Sequence, residues 1–84
     1  MYRLEISRTA HKQILRLPAG IRERIHSAIS SLSENPRQSG NKKLTAREGY
    51  RMRVGDFRIL YKVDDDLQKV TVFRVMSRGD VYKD

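Results

Sequence analysis

Residues 50–61 read Tyr50-Arg51-Met52-Arg53-Val54-Gly55-Asp56-Phe57-Arg58-Ile59-Leu60-Tyr61, and they hold the most constrained geometry in the chain. Gly55-Asp56 has the form of a tight hairpin turn, with glycine at the first central position as a type II′ turn requires. Such a turn fixes the pairing of both arms. Val54 falls opposite Phe57, Arg53 opposite Arg58, Met52 opposite Ile59, Arg51 opposite Leu60, and Tyr50 opposite Tyr61. Because side chains alternate between faces along a strand, one face is apolar throughout (Tyr50, Met52, Val54, Phe57, Ile59, Tyr61) and is expected to cover the core. The other face gathers Arg51, Arg53 and Arg58. Arg51 and Arg53 stand about 7 Å apart along their strand, a separation that resembles the phosphate repeat of an extended single strand. Arg53 opposite Arg58 is a like-charge cross-strand pair, which ordinarily costs stability. A face that needed only solvation would be better served by Glu or Thr. The arrangement reads as a phosphate cradle; a solvated basic face with splayed arginines is the competing reading.

Downstream, Asp64-Asp65-Asp66 is most simply a hairpin turn, since three adjacent aspartates rarely converge on one ion. Leu67–Met76 follows as a strand with apolar residues on both faces, Leu67, Phe73 and Val75 on one and Val70, Val72 and Met76 on the other, which suits a central position. Upstream, residues 37–48 (RQSGNKKLTARE) read as a polar, basic loop with Leu44 as its one apolar anchor. Before that lie two helices. In the first, Ala10, Ile14 and Leu17 form the apolar stripe, Ser7 or Thr9 supplies the N-cap, and Pro18-Ala19-Gly20 ends it. The second spans Ile21 to Ser33, with Ile21, Ile25, Ala28, Ile29 and Leu32 on one face; Asn35-Pro36 closes it. Tyr2, Leu4 and Ile6 alternate with Arg3 and Glu5 as a half-buried first strand. The expected fold is therefore α+β in the order β-α-α-β-β-β: a small, antiparallel-rich sheet with a two-helix hairpin packed on one face.

Eighty-four residues fit a single domain over 1–84, one that buries only about 60–65% of its unfolded surface. The absence of cysteine excludes disulfides, thiolate metal sites and cysteine nucleophiles. It suits a reducing cytoplasm. No apolar stretch reaches the length of a membrane span, and Met1 leads into a charged strand pattern rather than a signal peptide. The net charge is +8, and it is unevenly spread. Residues 37–62 carry eight basic side chains (Arg37, Lys42, Lys43, Arg47, Arg51, Arg53, Arg58, Lys62) against Glu48 and Asp56. Twelve of the eighteen basic residues are arginine, whose fork suits phosphate. A localised basic segment favours a polyanionic partner.

A second cluster, Ser77-Arg78-Gly79-Asp80-Val81-Tyr82, closes the chain. A turn past the last strand could aim Arg78 back over the cradle. Tyr82 offers a ring for stacking an unpaired base, or is an ordinary half-buried tyrosine. His11 and His26 fall off the apolar stripes, on solvent flanks, so a paired-histidine ribonuclease mechanism has no obvious site.

Taken together, Asn35-Pro36, Leu44, the 50–61 hairpin and Ser77-Arg78-Gly79-Asp80-Val81-Tyr82 resemble the RelE/ParE superfamily of type II toxin–antitoxin toxins over almost the whole chain. The Arg78-x-x-Val81-Tyr82 ending is more similar to the RelE branch, whose members cut messenger RNA in the ribosomal decoding site. Gyrase-poisoning ParE toxins share the fold and the hairpin, so a gyrase inhibitor, or a non-enzymatic nucleic-acid-binding domain, stays as the alternative. The resemblance implies attack of a ribose 2′-hydroxyl on its own 3′-phosphate, leaving a 2′,3′-cyclic phosphate and a 5′-hydroxyl. It assigns Arg51 and Arg53 to the neighbourhood of the 2′-hydroxyl, Arg58 to the phosphate, Arg78 to the leaving group and Tyr82 to base stacking. Arg37, Lys42, Lys43, Arg47 and Lys62 are then expected to contact message and ribosomal RNA. The implied partners are a RelB-like antitoxin, mRNA in the decoding site, and operator DNA through the toxin–antitoxin complex alone. No metal or organic cofactor is implied.

Two departures from the family pattern stand out. Many relatives carry lysine in the hairpin pair, where this chain has arginine, which holds its proton far more tenaciously. Many also carry histidine where this chain has Ser77. Arg53 is thus better read as an electrostatic clamp than as a general base. Some relatives extend into a further C-terminal helix, which this chain, ending at Asp84, is expected to lack.

Overall fold

A computed structural model describes residues 1–77. Its elements are β1 (Arg3–Ile6), α1 (Arg8–Leu15), α2 (Ala19–Ser31), β2 (Lys42–Lys43), β3 (Tyr50–Val54), β4 (Phe57–Asp64) and β5 (Lys69–Ser77). The strands form one sheet in the order β1-β5-β4-β3-β2. β1 runs parallel to β5 and every other neighbouring pair is antiparallel. The fold is the expected α+β arrangement with one strand added.

That strand is β2. Residues 37–48 contain a two-residue edge strand, in which Lys42 pairs with Arg51 and Lys43 with Tyr50. Two lysines followed by a single leucine give no period-two pattern, so the open edge of β3 accounts for the strand. Charged side chains on a short edge also discourage further strand addition.

The hairpin register is the one the turn dictates, from Val54↔Phe57 to Tyr50↔Tyr61. Gly55 has φ +58, as the first central residue of a type II′ turn needs. The apolar face of the hairpin meets the helices: Met52, Ile59 and Tyr61 join Ala10, Ile14, Ile25, Ile29, Leu32, Val70, Val72 and Val75 in the main core. Ser7 caps α1, its Oγ accepting from the Ala10 N–H at 3.1 Å. No helix among the described residues is long and apolar enough to cross a membrane.

β5 departs from simple alternation. Leu60 pairs with Arg74 but Tyr61 pairs with Val72, so Phe73 is an extra residue in a β-bulge. The expected faces are corrected accordingly. Val75 swings into the main core with Val70 and Val72, while Met76 turns to the opposite face with Leu44 and Leu60. Leu67 belongs to the turn before β5 and is 56% exposed. The bulge is tied down from α1: the Val75 N–H donates to Gln13 Oε1 at 2.7 Å, and Ser7 Oγ donates to the Phe73 carbonyl at 3.2 Å.

Candidate active site

The sheet face turned away from the helices carries the candidate site. The hairpin places Arg51, Arg53 and Arg58 there together, and with Lys42 and Gly40 they line a shallow pocket of about 220 Å³. Arg53 is directly opposite Arg58. Strand pairing supplies the fourth cation, because Lys42 on β2 lies opposite Arg51. Gly40, at φ +93, allows the sharp reversal that brings β2 onto the edge of β3. Arg51 and Arg58 are half-buried and Arg53 is exposed. Four cations around one recess on an open face suit an anion with several oxygens, to which guanidinium forks and an ammonium can each donate.

Beside the recess lies a small apolar cluster. Leu44, Leu60 and Met76 are buried there, with Phe73 packed against them. Two cations surround Phe73 rather than the recess: the Arg47 guanidinium is 5.9 Å from the ring centroid and Lys62 Nζ is 5.6 Å from it. The loop before β3 comes this close because Gly49 is buried at φ +131, with its Cα against the Tyr61 carbonyl. A Cβ there would sit 2.8 Å from that oxygen.

Arg37 and Lys43 lie elsewhere. Lys43 has the opposite strand parity to Lys42 and shares a separate recess with Arg37, Arg47 and Tyr50. Arg37 holds Asp65 through a fork, at 3.1 and 2.8 Å, and donates from Nε to the Tyr50 hydroxyl at 3.1 Å. These bonds raise the Arg37 pKa. In turn, Arg37 and then the Tyr2 hydroxyl, 2.6 Å from Asp65, hold that carboxyl below the usual carboxylate range. Tyr50 stacks on Tyr61 with centroids 5.6 Å apart. The buried Tyr61 hydroxyl donates to the Pro36 carbonyl at 2.6 Å and accepts from Asn41 at 2.9 Å, while burial pushes its pKa up. This chain of contacts fixes the segment between Pro36 and Asn41, immediately before Lys42, on the hairpin. Arg37 therefore anchors the loop that delivers Lys42.

Of the residues expected at the site, the structure brings Arg51, Arg53, Arg58 and Lys42 together, sets Arg47 and Lys62 around Phe73, and places Arg37 and Lys43 apart. Arg78 and Tyr82 lie outside the described residues. One further cation on this face lies outside the sequence expectation. Arg74, opposite Leu60, stands on the outer face in the cross-sheet row Lys42–Arg51–Leu60–Arg74. The signal for it was the three-residue step from Val72 to Val75, which breaks the period of two and marks a bulge.

The comparisons with known proteins agree with this geometry. Residues 4–82 match the family described as the ParE toxin of type II toxin–antitoxin system, parDE. The chain is 30% identical to Toxin RelG of Mycobacterium tuberculosis, across 98% of this chain and 97% of that protein. Its structure is similar to a RelBE toxin–antitoxin complex from the same organism, with a TM-score of 0.81 at 30% identity, covering 94% of this chain and 93% of the other. It also shares the fold of the isolated E. coli RelE toxin, with a TM-score of 0.82 at 24% identity over 96% of this chain and 88% of that one. Family match, identity over the full span, and the arginine-bearing hairpin on the open sheet face converge on one conclusion: the chain belongs to the RelE/ParE family of toxins of type II toxin–antitoxin systems.

Proposed function

We propose that this toxin is a ribosome-dependent endoribonuclease that cuts messenger RNA and so stops translation. The observation that carries the reading is the convergence of Arg51, Arg53, Arg58 and Lys42 on one pocket of an otherwise open sheet face. In the proposed reaction, a ribose 2′-hydroxyl loses its proton and attacks the adjacent 3′-phosphorus. The P–O5′ bond breaks and the leaving oxygen takes up a proton. The products are a 2′,3′-cyclic phosphate and a 5′-hydroxyl.

The phosphorane formed on the way carries an extra negative charge on crowded equatorial oxygens, and fixed cations aimed at that charge lower the barrier. Arg58, half-buried on the central hairpin strand, is the phosphate clamp. Arg51 and Arg53 line the 2′-hydroxyl side and make its oxyanion easier to form. None of these arginines is a proton acceptor at neutral pH. Proton transfer then falls to Tyr82, to water or to ribosomal groups, with Arg78 near the leaving oxygen. The ribosome's contribution is placement: it holds the 2′-hydroxyl in line with the scissile bond, which supplies much of what a strong base would otherwise supply. Acting on ribosomes places the toxin in the cytoplasm.

The partner in this reading is an antitoxin. The M. tuberculosis relative was solved as a toxin–antitoxin complex, and a chain of net charge +8 suits an acidic segment that folds on contact. Co-expression of such an antitoxin should rescue growth that the toxin alone suppresses. The match to the ParE toxin family keeps a second reading in play, the gyrase-directed toxin implied by the superfamily resemblance, in which the same arginines face a different target. Free RNA and programmed ribosomes separate the two. The ribonuclease reading expects cutting accelerated by orders of magnitude on ribosomes; equal rates on naked and ribosome-bound message would indicate an independent nuclease, and stalled gyrase without cutting would indicate the second reading.

A further inference from the structure

The outer face carries a cation that the cradle does not use. The β5 bulge turns Arg74 outward opposite Leu60, on the far side of β4 from Arg51. Adjacent strands are about 4.8 Å apart, so Arg51 and Arg74 are separated by about 10 Å across the sheet. Between them lie Leu60 and, one row nearer the turn, Arg58. Arg74 is exposed, and its side chain has no ion-pair or hydrogen-bond partner among the described residues. Its place is built rather than accidental, since Gln13 accepts the Val75 N–H and Ser7 binds the Phe73 carbonyl at the bulge. Next to it, Phe73 stands between Arg47 and Lys62 on the same face. Beyond, towards β1, Lys69 on the same face is taken up in an ion pair with Glu5.

We propose that Arg74 is a substrate-binding residue, holding a backbone phosphate of the RNA strand outside the scissile step. The strand crosses the sheet from the β3 side, over Arg58, to β5, and Phe73 with Arg47 and Lys62 forms the wall along that exit. Arg74 touches RNA but does not reach the reacting phosphorus. This inference rests on the RNA-cutting reading and defines where the strand runs.

The test measures affinity of the wild-type toxin, Arg74→Gln and Arg74→Lys for single-stranded RNA oligonucleotides of two and of eight nucleotides, across a salt series. An equal-charge control, Arg16→Gln, lies on the helix side, where Arg16 is the C-cap of α1. Circular dichroism confirms that each variant is folded. One lost phosphate contact on a single strand reduces the slope of log K against log salt by about 0.7. The expected result is that loss in Arg74→Gln on the longer oligonucleotide, with most of it recovered in Arg74→Lys and little change in Arg16→Gln. Cleavage on programmed ribosomes should show a raised KM with a smaller effect on kcat. If Arg74→Gln matches the wild type on both lengths while the wild type binds and cuts, the proposed track is wrong and the cutting reading stands. If Arg74→Gln and Arg16→Gln lose equally, Arg74 acts as general charge and the proposal also fails. A wild-type toxin that neither binds RNA nor cuts on ribosomes removes both readings together.

Discussion

Replacing Arg53 with Gln should separate what the hairpin needs to fold from what it needs to act. Arg53 and Arg58 are direct cross-strand neighbours, and the side chains of such pairs start about 5 Å apart. Two like charges about 6 Å apart in water repel by about 0.7 kcal/mol. At 0.15 M salt the screening length of about 8 Å roughly halves this, to about 0.3 kcal/mol. Glutamine keeps a long polar side chain and leaves the apolar face of the hairpin untouched. The variant should therefore melt about 1–2 °C higher than the wild type, given the usual 4–8 °C per kcal/mol for a domain of this size. At 1 M salt, where screening acts within about 3 Å, that gain should vanish. Activity should move the other way. Losing one preorganised charge at a developing anion costs about 10²-fold or more in rate, read on programmed ribosomes at saturating toxin. The pairing of outcomes is what matters. An Arg53→Gln variant that melts several degrees lower, yet cuts at the wild-type rate when folded, would show that this arginine is structural and refute the cradle.

Substitutions at three further positions test the frame that holds the cradle. Tyr61→Phe removes the hydroxyl that satisfies the buried Pro36 carbonyl and should cost about 1–3 kcal/mol in urea unfolding; unchanged stability would show that the Tyr61 contact does not hold the loop before Lys42. Because burial raises the Tyr61 pKa, native protein keeps that proton when unfolded chain has released it, so stability should start to fall as pH rises past 10.0. Tyr61→Phe should flatten that alkaline limb. The Asp65 carboxyl has the opposite sign: its pKa is lowered by Arg37 first and Tyr2 second, so its contribution is present above the ordinary value of 3.8 and is lost as pH falls through the lower native value. Asp65→Asn should remove that acid-side loss in a pH series of melting curves. Gly49→Ala combines a φ of +131 with a Cβ 2.8 Å from the Tyr61 carbonyl, and should destabilise by about 2 kcal/mol or more by the usual measure of strained glycine sites; a melting temperature equal to the wild type would show that the loop carrying Arg47 is not pinned there.

How much of this was legible in the sequence depends on how local each determinant is. The hairpin was readable to the residue, because Gly55-Asp56 leaves one register and the alternating pattern on both arms agrees with it. Helix existence and faces followed from spacing, and Ser7 was among the caps expected. β2 was not readable, since Lys42-Lys43 takes strand form only by pairing with Arg51 and Tyr50. Past Val72 the faces of β5 are not legible from alternation, because a bulge shifts parity by one and its stabiliser, Gln13, sits 62 residues away in sequence. The same shift hid Arg74. From sequence, Arg37 reads as one of the cations expected to contact RNA; its fork on Asp65 is 28 residues distant and needs the loop and the β4–β5 turn to meet. Non-local pairing, rather than residue chemistry, is what the sequence conceals.

Whether the cradle cuts messenger RNA is decided by incubating the wild-type toxin with a message held in purified ribosomes and identifying the new ends chemically. Cuts should fall within the codon occupying the decoding site, each leaving a 2′,3′-cyclic phosphate upstream and a 5′-hydroxyl downstream, and Arg53→Gln should cut far less. An intact message in ribosomes that folded toxin occupies, or cuts that leave 5′-phosphates, would contradict it.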